Sequence, residues 1–227
     1  MDNETQGFND NETQGFFGQE KLIAPFTDSG KYRVRILRPW ELEKLVRAIP
    51  KKYCKTQFEF LFYTGMRYVE AQAVKYRTDL FEGDNIHLVP SLIRKPKCKI
   101  KDRYVKLNPV GRRVAEDYFN LKKSLPSTIT WVENLERWAK KADIPFEYRV
   151  VTHKDGSRDT VKSHFLSAKT LRKTWESYLV FTYPNIKERI FISQGHTELT
   201  ALKSYINLPF SLKDKEEMLR YVSGWQG

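Results

Sequence analysis

Helical periodicity in this chain comes in short lengths, each closed by a residue that cannot continue a helix. Leu42, Leu45, Val46 and Ile49 repeat at i, i+3, i+4, i+7, with Pro39 opening the segment and Pro50 ending it. A second helix is predicted from about Tyr53 to Tyr63, with Phe58, Leu61 and Phe62 inward, and Thr64-Gly65 punctuates it. A third follows from about Tyr68 to Lys75. Short helices broken this often must pack on one another rather than form a rod or span a bilayer. There is also no run of about 18 apolar residues, so no membrane partner is expected.

The pattern then changes period. Residues 85–94 read as a strand, with Pro90 marking an edge or bulge. A lysine-rich turn follows, and Arg103 to Leu107 reads as a second strand. Asn108-Pro109 is a cap followed by proline at the first helical position, predicting a helix to about Lys123. Thr130-x-x-Glu133 reads as a capping box for a helix ending near Ala142. Residues 145–162 look like a hairpin around Asp155-Gly156. Four helical segments close the chain, near 167–182, 185–193, 197–206 and 211–222. The expected fold class is mostly α with small β-hairpins (α+β). Residues 1–34, where Asp2 to Phe8 recurs as Asp10 to Phe16, read as a disordered polar tail.

Apolar content of 40% is enough for a real core. Forty Lys plus Arg against 28 Asp plus Glu gives a net charge of +12, which favours a polyanionic partner such as nucleic acid. The polar, acidic start carries no charged-then-apolar leader, and Cys54 and Cys98 form no CxxC pair. Reduced thiols and an intracellular location are the expectation. The four histidines are scattered, so no metal and no cofactor is expected.

Several residues suit phosphate chemistry. Arg67 stands just past the Thr64-Gly65 break, at a helix start where backbone N–H groups already favour an anion. A guanidinium there can grip two phosphate oxygens. Glu70, three residues on, is placed to orient it. In the turn, Lys95, Lys97, Lys99, Lys101 and Arg103 could track DNA phosphates, and one lysine could protonate a leaving oxygen. Lys169 and Arg172 sit at i and i+3, with Leu171 and Trp175 on the buried side. Gly195-His196 ends one helix and begins the next, and histidine there can donate to a non-bridging oxygen.

The ordered set Thr64 to Glu70, Lys95 to Arg103, Lys169-Thr170-Leu171-Arg172, and Gly195-His196 with Tyr205 nine residues on resembles the catalytic domain of the tyrosine recombinases. The resemblance covers about Arg38 to Leu208 and implies a catalytic domain over 35–208. It implies that Arg67, Lys99, Lys169, Arg172 and His196 surround a scissile DNA phosphate and that Tyr205 attacks it, forming a 3′-phosphotyrosine and freeing a 5′-hydroxyl. Family spacing before Arg103 favours Lys99, then Lys97, then Lys95. Lysine at position 169 departs from the usual histidine and resembles integrases of archaeal viruses and plasmids.

Members usually carry a further N-terminal helical core-binding domain of roughly a hundred residues. Residues 1–37 are much shorter, so weak, strongly salt-dependent DNA binding is expected. The implied partners are a double-stranded DNA attachment site and further copies of the chain as a dimer or tetramer. Residues 209–227 form an amphipathic helical tail that would pack either on its own chain or on a neighbouring protomer. Competing functions are a type IB topoisomerase, a catalytically silent DNA-binding accessory protein and, more distantly, a metal-dependent nuclease.

Overall fold

The computed structural model describes residues 34–92, 102–152, 156–195 and 210–225. Its first three helices are α1 (Pro39–Ala48), α2 (Lys52–Thr64) and α3 (Tyr68–Val74). A three-stranded antiparallel sheet follows, made of β1 (Phe81–Glu82), β2 (Asn85–Leu88) and β3 (Arg103–Lys106) in the order β1-β2-β3. Next come α4 (Pro109–Asn120), α5 (Thr128–Lys141) and the hairpin β4 (Glu147–Thr152) with β5 (Arg158–Ser163). The chain continues with α6 (Thr170–Thr182), α7 (Lys187–Gln194) and α8 (Leu212–Val222).

The helix ends follow from local chemistry. Glu41 accepts from the Arg38 backbone N–H at 2.8 Å, with Pro39 at the first turn of α1. Gly65 closes α2 in the left-handed region at φ 59°, a conformation that favours glycine. Asn108 caps α4 by accepting the Gly111 N–H at 2.8 Å, and Ser211 caps α8 by accepting the Asp214 N–H at 3.1 Å. Each such cap is worth about 1 kcal/mol.

Two expectations change. β2 stops at Leu88, because Pro90 has no N–H to extend the ladder and instead enters a 3-10 turn over Pro90–Leu92. The cap of α5 is Ser127, which accepts the Thr130 N–H at 3.2 Å, so Thr130 lies inside the first turn rather than at the cap. Short strand β1 had no signal long enough to read. The helix expected near 197–206 lies outside the described residues.

Helix α2 is the centre of the molecule. It packs between α4 and α6, so Phe58 and Phe60 to Phe62 are all buried. Phe60 stacks on Tyr118 of α4 at 3.7 Å, and Phe62 meets Trp175 of α6 edge-on at 5.3 Å. Helix α8 folds back on α6 and α1 of its own chain, burying Met218, Val222 and Trp225. On β3, Val105 faces the core while Tyr104 is exposed, and α7 packs across this strand. The result brings the start of α3, the start of α6, strand β3 and the end of α7 to one place. No helix among the described residues is long and apolar enough to cross a membrane.

Candidate active site

The Gly65 turn delivers Arg67 to the N-cap of α3 in extended conformation, with its side chain 43% exposed. Glu70, in the first turn, is 0% exposed. Its Oε2 accepts the Arg67 backbone N–H at 2.8 Å, and its Oε1 lies 3.4 Å from Arg67 Nη1. One carboxylate therefore caps the helix and steers the guanidinium. An uncompensated buried carboxylate would cost several kcal/mol, and here further cations stand around it.

Arg172 is one of them. It is 5% exposed, because Leu171 and Trp175 carry its helix into the core. Nη1 donates to the Gly65 carbonyl at 2.8 Å, Nη2 donates to the Gln194 carbonyl, and Nε pairs with Glu176 at 2.9 Å. Nη1 also lies 4.0 Å from Glu70 Oε2. Burial lowers the Arg172 pKa from the ordinary arginine value, and Glu176 and Glu70 oppose that shift. The guanidinium remains charged at any physiological pH.

Arg103 is not a surface side chain. It is 6% exposed and points inward from β3, with Nη2 donating to Glu70 Oε2 at 2.8 Å and Nε donating to the Ser193 carbonyl at 3.1 Å. The side chain expected to track phosphate is thus placed in the interior. Alternation along β3 was the available signal, since Arg103 shares a face with the buried Val105. Lys169 is exposed and occupies the N-cap of α6, three residues before Arg172.

Glu176 and Gln194 were not foreseen. Glu176 is buried four residues beyond Arg172 and also takes Lys173 at 3.0 Å. That spacing is an i, i+4 pair, visible in principle. Gln194 donates through Nε2 to the Thr64 carbonyl at 3.3 Å, a contact that no sequence spacing reports.

Lys95, Lys97, Lys99, Lys101, His196 and Tyr205 lie outside the described residues. Among the described residues no group of three or more His, Cys, Asp or Glu could hold a metal ion.

The arrangement leaves Arg67 and Lys169 exposed, with Arg172 and Arg103 buried around Glu70. No protein-family model matches the sequence, and no curated protein matches it. The fold is similar to that of XerA recombinase, with a TM-score of 0.53 at 18% identity, over 85% of this chain and 66% of that one. It is similar to the Tn1549 transposon integrase in complex with circular intermediate DNA, with a TM-score of 0.53 at 16% identity, over 84% and 66%. XerH site-specific recombinase bound to difH substrate, in a pre-cleavage complex, gives 0.50 at 17% identity, over 78% and 51%. The chain therefore spans 66% or less of the length of each of these proteins. The architecture, mostly helical with small antiparallel sheets, is similar to that of these recombinases and this integrase.

Proposed function

We propose that this chain cleaves and rejoins DNA as a site-specific recombinase or integrase of the tyrosine type. The observation that carries the reading is that Arg67 and Arg172, from separate helices, both lie within 4.0 Å of the one buried carboxylate of Glu70. Two fixed guanidinium groups at one helix start suit two non-bridging oxygens of a phosphodiester, whose charge grows in a pentavalent transition state. The similar structures are recombinases and an integrase, one in complex with circular intermediate DNA and one bound to difH substrate.

In this reading the Tyr205 oxygen bonds to phosphorus as its proton passes to solvent water, and the bond to the 5′ oxygen breaks. Lys99, or else Lys97 or Lys95, gives that oxygen a proton, and His196 donates to a non-bridging oxygen. A 5′-hydroxyl from a second duplex attacks the 3′-phosphotyrosine and restores the phenol. The phosphotyrosine bond retains the energy of the phosphodiester, so the cycle needs no nucleotide, and these cations stabilise charge without a metal. The implied partners are a double-stranded attachment site and further copies of this chain assembled on it. The lysine at position 169 is the feature that points toward integrases of archaeal viruses or plasmids.

A second reading, DNA binding without cleavage, is favoured by one feature. The Nη groups of Arg172 already donate to the Gly65 and Gln194 carbonyls. Covalent trapping separates the two. Wild type and Tyr205→Phe are incubated with a nicked suicide duplex in EDTA. An SDS-stable adduct with wild type alone is expected. Adduct with both proteins moves the nucleophile to another residue, and duplex binding without adduct selects the second reading.

A further inference from the structure

Arg103 has the wrong surroundings for a residue that merely tracks a phosphate backbone. We propose that it is a positioning residue for the phosphate site. It neutralises Glu70 from the interior, so that Glu70 orients Arg67 without cancelling its charge. This rests on the recombinase reading above and assigns a role within the same site.

The geometry divides the work of one carboxylate. Glu70 Oε2 takes the Arg103 guanidinium at 2.8 Å and the Arg67 backbone N–H at 2.8 Å. The contact to the Arg67 guanidinium itself is long, 3.4 Å, and that group is 43% exposed. A buried cation at hydrogen-bond distance couples to a buried anion far more strongly than a half-solvated one farther away. Glu70 is therefore balanced chiefly by Arg103 at 2.8 Å, with Arg172 farther off at 4.0 Å, and Arg67 keeps its charge for a ligand. Without Arg103, the carboxylate would face Arg67 as its nearest cation, and the two would close into a pair.

A second observation places Arg103 at the junction of the site. Its side chain lies flat against the backbone of Gly195, the residue before His196. A Cβ on Gly195 would stand 3.0 Å from Arg103 Cδ and Nε and 3.1 Å from Cζ. Gly195 is also in the left-handed region at φ 68°, so both backbone and space favour glycine there. Nε is fixed by the Ser193 carbonyl at 3.1 Å, and Ser193 Oγ accepts the Lys106 N–H at 3.2 Å. One guanidinium thus ties together strand β3, the start of α3 and the end of α7. Its Nη1 is buried and has no acceptor among the described residues.

The test reads phosphate binding apart from cleavage. In a Tyr205→Phe background, affinity for a short fluorescent mixed-sequence duplex is measured across a salt series for parent, Arg103→Met, Arg103→Met/Glu70→Gln and Arg103→Lys. Arg103→Met is expected to lower the slope of log K against log salt by about 0.9, the share of one phosphate. Adding Glu70→Gln, which removes the charge that would quench Arg67, is expected to restore it. With Tyr205 intact, the same pair should show a loss of about 10²-fold in adduct formation, followed by at least partial recovery.

An unchanged slope in a folded Arg103→Met protein, or a double variant no better than the single one, assigns Arg103 to packing and overturns the proposal. Should Arg103→Met not fold by thermal melting, Arg103→Lys decides. It keeps the charge and should keep the parental slope, and a lowered slope in the folded variant overturns the proposal. Failure of the parent to bind duplex overturns the recombinase reading itself, which is a different outcome from any of these.

Discussion

Arg172 donates from Nη1 to the carbonyl oxygen of Gly65 at 2.8 Å, across 107 residues of chain. That bond fastens the start of α6 to the turn that delivers Arg67. Nη2 of the same guanidinium holds the Gln194 carbonyl at the end of α7. The candidate site is therefore a knot of helix ends rather than a cleft between domains, and its geometry depends on turns that have little freedom to change.

Gly65 is the tightest of these turns. A Cβ there would lie 2.5 Å from Gln194 Oε1 and 2.6 Å from Trp175 Cδ1, on a backbone at φ 59°. Gly65→Ala should cost about 2–5 kcal/mol, combining left-handed strain with overpacking. Urea denaturation measures it. An unshifted midpoint would mean that the turn can relax, and the Arg172 bond would lose its importance as a fixed tie.

Arg67 offers the opposite case, because it is half exposed and its helix cap is made by its backbone rather than its side chain. Arg67→Ala should change stability by less than about 1 kcal/mol. It should also cut covalent adduct formation by about 10²- to 10³-fold, the usual loss on removing a fixed donor to a developing charge. A melt alongside a trapping time course checks both. A large loss of stability would make Arg67 structural.

Local signals carried much of this architecture. Pro39, Thr64-Gly65, Asn108-Pro109 and the amphipathic run after Ser211 each mark a helix end whose cause lies within a few residues. Arg67 with Glu70 is legible for the same reason. What was not legible depended on distant segments. Arg103 reads as part of a basic stretch until α7 packs across β3 and Glu70 arrives from α3. Gln194 gains meaning only from the backbone at Thr64. Thr130 looked like a cap because its own spacing to Glu133 is good, but Ser127 reaches the Thr130 N–H first.

Glu59 supplies a pH test away from the site. Burial on α2 raises its pKa above the ordinary glutamate value, with Lys55 at 3.9 Å opposing and Asp117 adding to the rise. A raised folded pKa means that the stability tied to this carboxyl is complete below the unfolded value. It is lost as pH rises through the folded one. Glu59→Gln, neutral throughout, should therefore match wild type near pH 4 and exceed it at pH 7. Denaturant midpoints at the two values check this. A variant weaker than wild type at pH 7 would show that the Lys55 pair outweighs desolvation.

Position 169 decides whether this site uses a general base. Lys169 is exposed at the N-cap of α6, three residues before Arg172, where its ammonium group can meet a phosphate. Its contribution should then be charge alone. Lys169→His changes that. Imidazole accepts a proton only when neutral, so adduct formation by the variant should acquire an extra fall as pH drops through about 6.5. The helix N-terminus disfavours imidazolium and would move that midpoint lower, never higher. The reading is the difference between the two pH–rate profiles, which removes any titration that His196 contributes to both. Profiles of identical shape would show that the group at 169 handles no proton, and its role would then be confined to holding the phosphate.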